Sequence, residues 1–85
     1  MENTRILGIA ISNRQEASIK VQNLLTKFGC SIKTRLGLHE VSNSECSTSG
    51  LVLLELTGEQ GEAEKLEQEL RKIEGIQVNK MDFRL

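Results

Sequence analysis

Two rhythms of apolar residues run through this chain. RILGIAI at 5–11 is a dense aliphatic run and reads as a buried strand. The spacing then lengthens, with Ala17, Val21, Leu24, Leu25 and Phe28 recurring at helical intervals behind Asn13 and Glu16, three residues apart as in a capping box. Gly29 is expected to close this helix in the left-handed conformation that a glycine adopts without steric cost. Residues 32–41 alternate, placing Ile32, Thr34, Leu36 and Leu38 on one face and Lys33, Arg35, Gly37 and His39 on the other, the signature of a half-buried strand. A polar loop is expected next, before the aliphatic strand LVLLEL at 51–56. Thr57 and Gly58 lead into a Glu-rich helix whose Ala63, Leu66, Leu70 and Ile73 form one stripe, and Gly75 ends it. The last strand starts at Ile76 and Val78, but its apolar positions change parity at Met81, Phe83 and Leu85, which predicts a bulge or a tail leaving the sheet.

The resulting order, βαββαβ, predicts an α+β fold of the ferredoxin-like type: a four-stranded antiparallel sheet with two helices on one face. In that topology the first and third strands are central, and they are the two runs that are apolar at nearly every position. Leu7, Ile9, Ile11, Val52, Leu54 and Leu56 should meet the helices. Ile6, Ala10, Leu51 and Leu53, joined by Met81 or Phe83, should then lie on the uncovered face. Burying an aliphatic side chain stabilises by about 1.5 to 3 kcal/mol, so self-association through that face, as a homodimer or tetramer, is the expected outcome. A hairpin register with His39 opposite Leu51 would also set Arg35 opposite Glu55 on the same face, making that pair a candidate part of the interface.

Composition narrows the function classes. The 85 residues suit one domain, 1–85, with a thin core. Eleven basic and twelve acidic residues leave a net charge of -1 without a basic cluster, and Phe28 and Phe83 are the only aromatics, so direct nucleic-acid binding is not expected. The apolar run in MENTRILGIAIS is too short to span a membrane and lacks signal-peptide flanks, which implies a cytoplasmic protein with no membrane partner. Its two cysteines are then expected as free thiols.

The candidate chemistry is sparse. His39, the only histidine, and Cys46 flank the expected hairpin loop and are weak candidate ligands for nickel or zinc. Cys30 and His39 sit nine strand steps apart, about 30 Å, so they cannot share an ion, and the same geometry separates Cys30 from Cys46. Two ligands per subunit would need a second subunit to complete a site. The alternative for each is structural: a thiol in a Ser-rich loop and a histidine on an edge strand. Glu62, Glu64, Glu67 and Glu69 read as a solvated helix face, with Glu67 and Arg71 spaced for an i,i+4 pair. GEQGE at 58–62 lacks the basic residue of a phosphate loop. No nucleophile has a base placed beside it by any motif, so neither an enzyme nor a cofactor is expected.

Several short motifs also carry a family likeness. Asn13-Arg14, Asn23-Leu24-Leu25, Arg35-Leu36-Gly37 and Gly75-Ile76, spread over most of the chain, resemble those of small ACT-like regulators of iron-only hydrogenase systems. Members usually carry a proline soon after Arg-x-Gly, and this chain has none. The resemblance implies a regulatory, ligand-sensing module that oligomerises, with a small-molecule ligand or a protein partner. It also points to the loop after the first strand, Ser12, Asn13 and Arg14, as a ligand position, although that loop lacks the glycine expected for close approach. A more distant likeness is to the C-terminal domain of nickel-responsive repressors, in which His39 resembles the second histidine of a His-x-His and Cys46 the following cysteine. Gly37 stands in place of the first histidine. Those repressors add a DNA-binding segment, so a role in transcription would pass here through a partner protein.

Overall fold

The computed structural model describes residues 3–12, 15–41, 46–57 and 60–84. The elements are β1 (Asn3–Ile11), α1 (Gln15–Lys27), β2 (Ile32–Val41), β3 (Cys46–Leu56), α2 (Gln60–Arg71) and β4 (Ile76–Arg84), with a 3-10 turn at Gly29–Ser31 before β2. The strands form one antiparallel sheet in the order β2-β3-β1-β4. This is the ferredoxin-like arrangement that the alternation of strand and helix patterns predicts, with β1 and β3 at the centre.

The core lies between the helices and one face of the sheet. Leu7, Ile9, Ile11, Val52, Leu54, Leu56 and Val78 are buried from the sheet side, against Ala17, Val21, Leu25 and Phe28 of α1 and its end and Ala63, Leu66 and Leu70 of α2. Ile73 lies beyond the end of α2 and still packs on this cluster.

Several expectations are corrected. The expected loop before residue 51 is largely strand: β3 begins at Cys46, paired with Val41, because ladder hydrogen bonds satisfy the backbone whether or not the side chains are apolar. The hairpin register differs by one residue from that supposed. His39 is opposite Gly50 and Arg35 is opposite Leu54, so Arg35 stands on the helix side, where its guanidinium meets Gln22 of α1. A one-residue slip sends every side chain of a strand to the other face. An irregularity between Ile32 and Thr34 also breaks the expected single face of β2: Ile32, opposite Leu56, packs on the core, whereas Leu36 pairs with Leu53 on the other side.

Gly29 is not left-handed; α1 instead runs through Phe28 into the 3-10 turn, whose Ser31 N–H donates to the Phe28 carbonyl at 2.9 Å. Gly75 is the one positive-φ glycine among the described residues, at φ 89°, and it makes the turn from α2 into β4. Nor does β4 bulge or leave the sheet. It pairs with β1 in unbroken register from Asn3↔Arg84 to Ile11↔Ile76. Its change of parity comes instead from a change in what its two faces meet.

Candidate functional site on the open face of the sheet

The face of the sheet away from the helices is built by period-two alternation on all four strands. The register sets Ile6 between Glu55 and Met81, Gly8 between Leu53 and Asn79, Ala10 between Leu51 and Gln77, and Thr4 beside Phe83, with Leu36 beyond Leu53 on β2. Met81 is 56% exposed, Leu36 51%, Phe83 47% and Leu51 39%. These fractions are large for apolar residues that share one face of a sheet. Near its centre is Gly8, where a Cβ would lie in ordinary contact, 3.7 Å from Leu53 Cδ2.

Charge is nearly missing from this surface. Among the described side chains on it, Glu55 is the only carboxylate; it accepts a hydrogen bond from Thr34 Oγ1 at 2.9 Å, and Lys33, from the irregularity at the start of β2, brings its Nζ to 3.8 Å. Of the expected interface set, Ile6, Ala10, Leu51, Leu53 and Glu55 lie on this face; Arg35 does not.

On the other side of β4 the chemistry inverts. Ile76 and Val78 point toward the core, but the next two positions on that face are Lys80 and Asp82. Arg5 of β1 grips Asp82 with both arms, Nε to Oδ1 at 2.6 Å and Nη2 to Oδ2 at 3.1 Å, and its Nη1 lies 3.5 Å from Glu67 Oε1. Glu67 Oε2 accepts from Arg71 Nε at 3.1 Å and Nη2 at 3.0 Å, and Lys80 Nζ is 3.6 Å from Oε1. Glu67 is thus a buried carboxylate among cations and not part of the solvated helix face expected from the sequence. The hydrogen bond to Arg5 holds the Asp82 carboxyl below the usual carboxylate range, and the same bond raises Arg5 against the opposing effect of burial. This cluster explains the parity change: where the sheet outruns the apolar core, the helix side of β4 becomes ionic while the open side stays apolar. The available signals were the arginine opening an aliphatic strand and a glutamate next to a core leucine, Leu66.

Ser12 sits at the end of β1, its N–H donating to the Gly75 carbonyl at 2.9 Å, which ties the start of the β1–α1 loop to the turn before β4. Asn13 and Arg14 lie outside the described residues. His39 and Cys46 hold backbone positions at the same end of the β2–β3 hairpin, opposite Gly50 and Val41, and their side chains lie outside the described residues. Cys30, exposed in the 3-10 turn at the other end of β2, borders a shallow cleft with Lys27, Phe28, Ser31 and Glu62. Among the described residues no group of three or more His, Cys, Asp or Glu side chains converges to hold a metal ion, and no helix is long and apolar enough to cross a membrane.

No family model and no curated protein matches the chain. Its backbone is similar to that of an uncharacterized protein from Thermotoga maritima, with a TM-score of 0.81 and 25% identity over 98% of this chain and 100% of that one. It is also similar to the ACT domain of a GTP pyrophosphokinase from Chlorobium tepidum, with a TM-score of 0.64 and 15% identity over 92% of this chain and 96% of that one. A third likeness is to the apo form of CPII from Thiomonas intermedia, a nitrogen regulatory PII-like protein, with a TM-score of 0.61 and 12% identity over 99% of this chain and 92% of that one. The sheet order, the two helices on one face and these likenesses together give the chain the ACT-like form of the ferredoxin fold.

Proposed function

We propose that this protein is a non-enzymatic regulatory module that senses a small ligand and works as a homo-oligomer, a homodimer or tetramer assembled through the open face of the sheet. The observation that carries the reading is that face: Ile6, Leu36, Leu51, Leu53, Met81 and Phe83 share one side of the sheet with a single carboxylate, Glu55, and the Lys33 ammonium 3.8 Å from it. A twofold interface brings a surface against itself, and a surface whose described charges are one close pair of opposite sign can do this with little like-charge repulsion. Four strands about 4.8 Å apart, each offering about eight residues at about 3.3 Å, project an area on the order of 500 Å², and side-chain relief raises the accessible value toward the roughly 800 Å² per partner of a standard interface. The sensing role is supported by the ACT-like and PII-like form of the fold, and the association with an iron-only hydrogenase system by the motif resemblance.

Sedimentation across a concentration series tests the assembly. The wild type is expected to be oligomeric, and Leu53→Lys, which puts a charge at the centre of the face without touching the core, is expected to yield a folded monomer. A wild type that stays monomeric at every concentration, or a Leu53→Lys variant that assembles normally, would sink the reading.

The alternative is a nickel or zinc sensor using His39 and Cys46 across an interface. It is favoured by their hairpin positions, whose Cα atoms the register brings to about 8 Å. Calorimetric titration of metal-free, reduced protein with nickel and zinc decides it. Tight binding lost in His39→Ala supports that reading, and the lack of any heat removes it.

A further inference from the structure

The second half of β4 has an unusual mechanical position. It is an edge strand, paired with β1 alone, and every residue from Asn79 to Arg84 is exposed. Among the described residues no apolar side chain of β4 beyond Val78 is buried, and on the helix side Lys80 and Asp82 occupy the positions where core residues would stand. Among the described residues, the contacts that fasten this segment besides the ladder to β1 include the ion cluster: Asp82 to Arg5, and Lys80 to Glu67 of α2. Arg5 and Glu67 are themselves firmly placed, with side chains only 12% and 10% exposed. The Arg5–Asp82 bond has the two-armed geometry that holds a carboxylate in a fixed orientation, unlike the loose ion pairs usual at surfaces.

Alternation then makes the cluster a matter of function. Met81 and Phe83 lie between and beyond Lys80 and Asp82 on the same strand and project from the open face. A strand pleat is stiff over two residues, so whatever sets the position of Asp82 also sets that of its neighbours on the other face. Glu67, through Arg5 and Lys80, connects the same segment to α2.

We infer that the Arg5–Glu67–Asp82 cluster is a positioning device for the assembly surface, locking the Met81–Phe83 half of β4 to helix α2 so that this part of the open face is presented in one geometry. The inference rests on the reading of that face as the site of self-association, and it goes beyond it by coupling the surface to the helix layer. A change that moves α2 would be felt at Met81 and Phe83 through two ionic contacts, with no rearrangement of the core.

The test uses the full chain and the variants Asp82→Asn and Asp82→Glu. Two quantities are read: hydrogen exchange of the β4 amides, and the dissociation constant of the oligomer from sedimentation equilibrium. Asp82→Asn is expected to speed exchange over residues 79–84, leave α1 and β2 unchanged, and raise the dissociation constant about tenfold. Asp82→Glu, which keeps the charge, should recover most of both effects. Glu69→Gln, which breaks the exposed pair with Lys72, should change neither. An unchanged dissociation constant in Asp82→Asn, or unchanged β4 exchange, overturns the inference while leaving self-association standing. A monomeric wild type overturns the reading beneath it instead.

Discussion

Asp82 is half-exposed and would ordinarily contribute little, yet the bond from Arg5 holds its carboxyl below the usual carboxylate range. The sign of the consequence is definite. Between the folded value and the ordinary one of about 3.9, the unfolded chain binds the proton and the folded protein does not, so stability rises with pH across that window. The contribution is complete above the ordinary value and vanishes as pH falls through the folded one. Glu69, held low by its hydrogen bond from Lys72, behaves in the same sense. Urea midpoints followed from about pH 6 down to about pH 2 should therefore fall more steeply for the wild type than for Asp82→Asn, and the two curves should converge at the acid end. Parallel curves would show that the Arg5 bond does not differ between the folded and unfolded states. Of the residues in this cluster, Arg5 and Asp82 were visible in the sequence only as charges, and Glu67 only as the i,i+4 partner of Arg71, a pair that forms; the convergence of the three depends on a β1–β4 pairing across most of the chain.

Elements end here in two ways, and the two glycines behind the helices separate them. Gly75 makes its turn at φ 89°, where any L side chain is strained. Gly29 lies in the 3-10 turn without a positive φ and with open space at its Cβ position. Gly75→Ala should cost about 1 to 2 kcal/mol in chemical denaturation, whereas Gly29→Ala should be neutral or stabilise by about 0.4 to 1 kcal/mol by restricting the unfolded chain. Equal costs at both sites would contradict these backbone assignments. From the sequence, both glycines carried the same helix-stop signal; the difference lies in the path the chain takes after each helix. Phe28 is drawn back into the core after α1, so the chain tightens into a 3-10 turn, while after α2 it must reverse directly into β4, with Ser12 bound to the Gly75 carbonyl.

For the whole molecule, the two sides of the sheet differ: one packs on the helices to form the core, and the other is the surface proposed for assembly. The edges are poorer candidates for self-association, since β2 is irregular at both ends of its pairing and the second half of β4 points charges inward, two known ways of blunting an edge strand. Because the open face carries one paired carboxylate among its described side chains, assembly through it should be driven by apolar burial. In the same sedimentation series, raising salt from about 0.1 M to about 1 M should leave the oligomer intact or strengthen it, and dissociation by salt would point to a charged interface elsewhere.

Period and punctuation in the sequence determined the element order, the central position of β1 and β3, most of the core residues and the apolar character of the second face, because each depends on local spacing and on burial of aliphatic runs. Only the tertiary structure decided the hairpin register, the core placement of Ile32, the strand character of residues 46–50 and the burial of Glu67. The physical reason is shared. A register differs from its neighbour by a single residue of slip, and a charge is buried or solvated according to which distant charges arrive beside it; neither leaves a periodic trace in the chain.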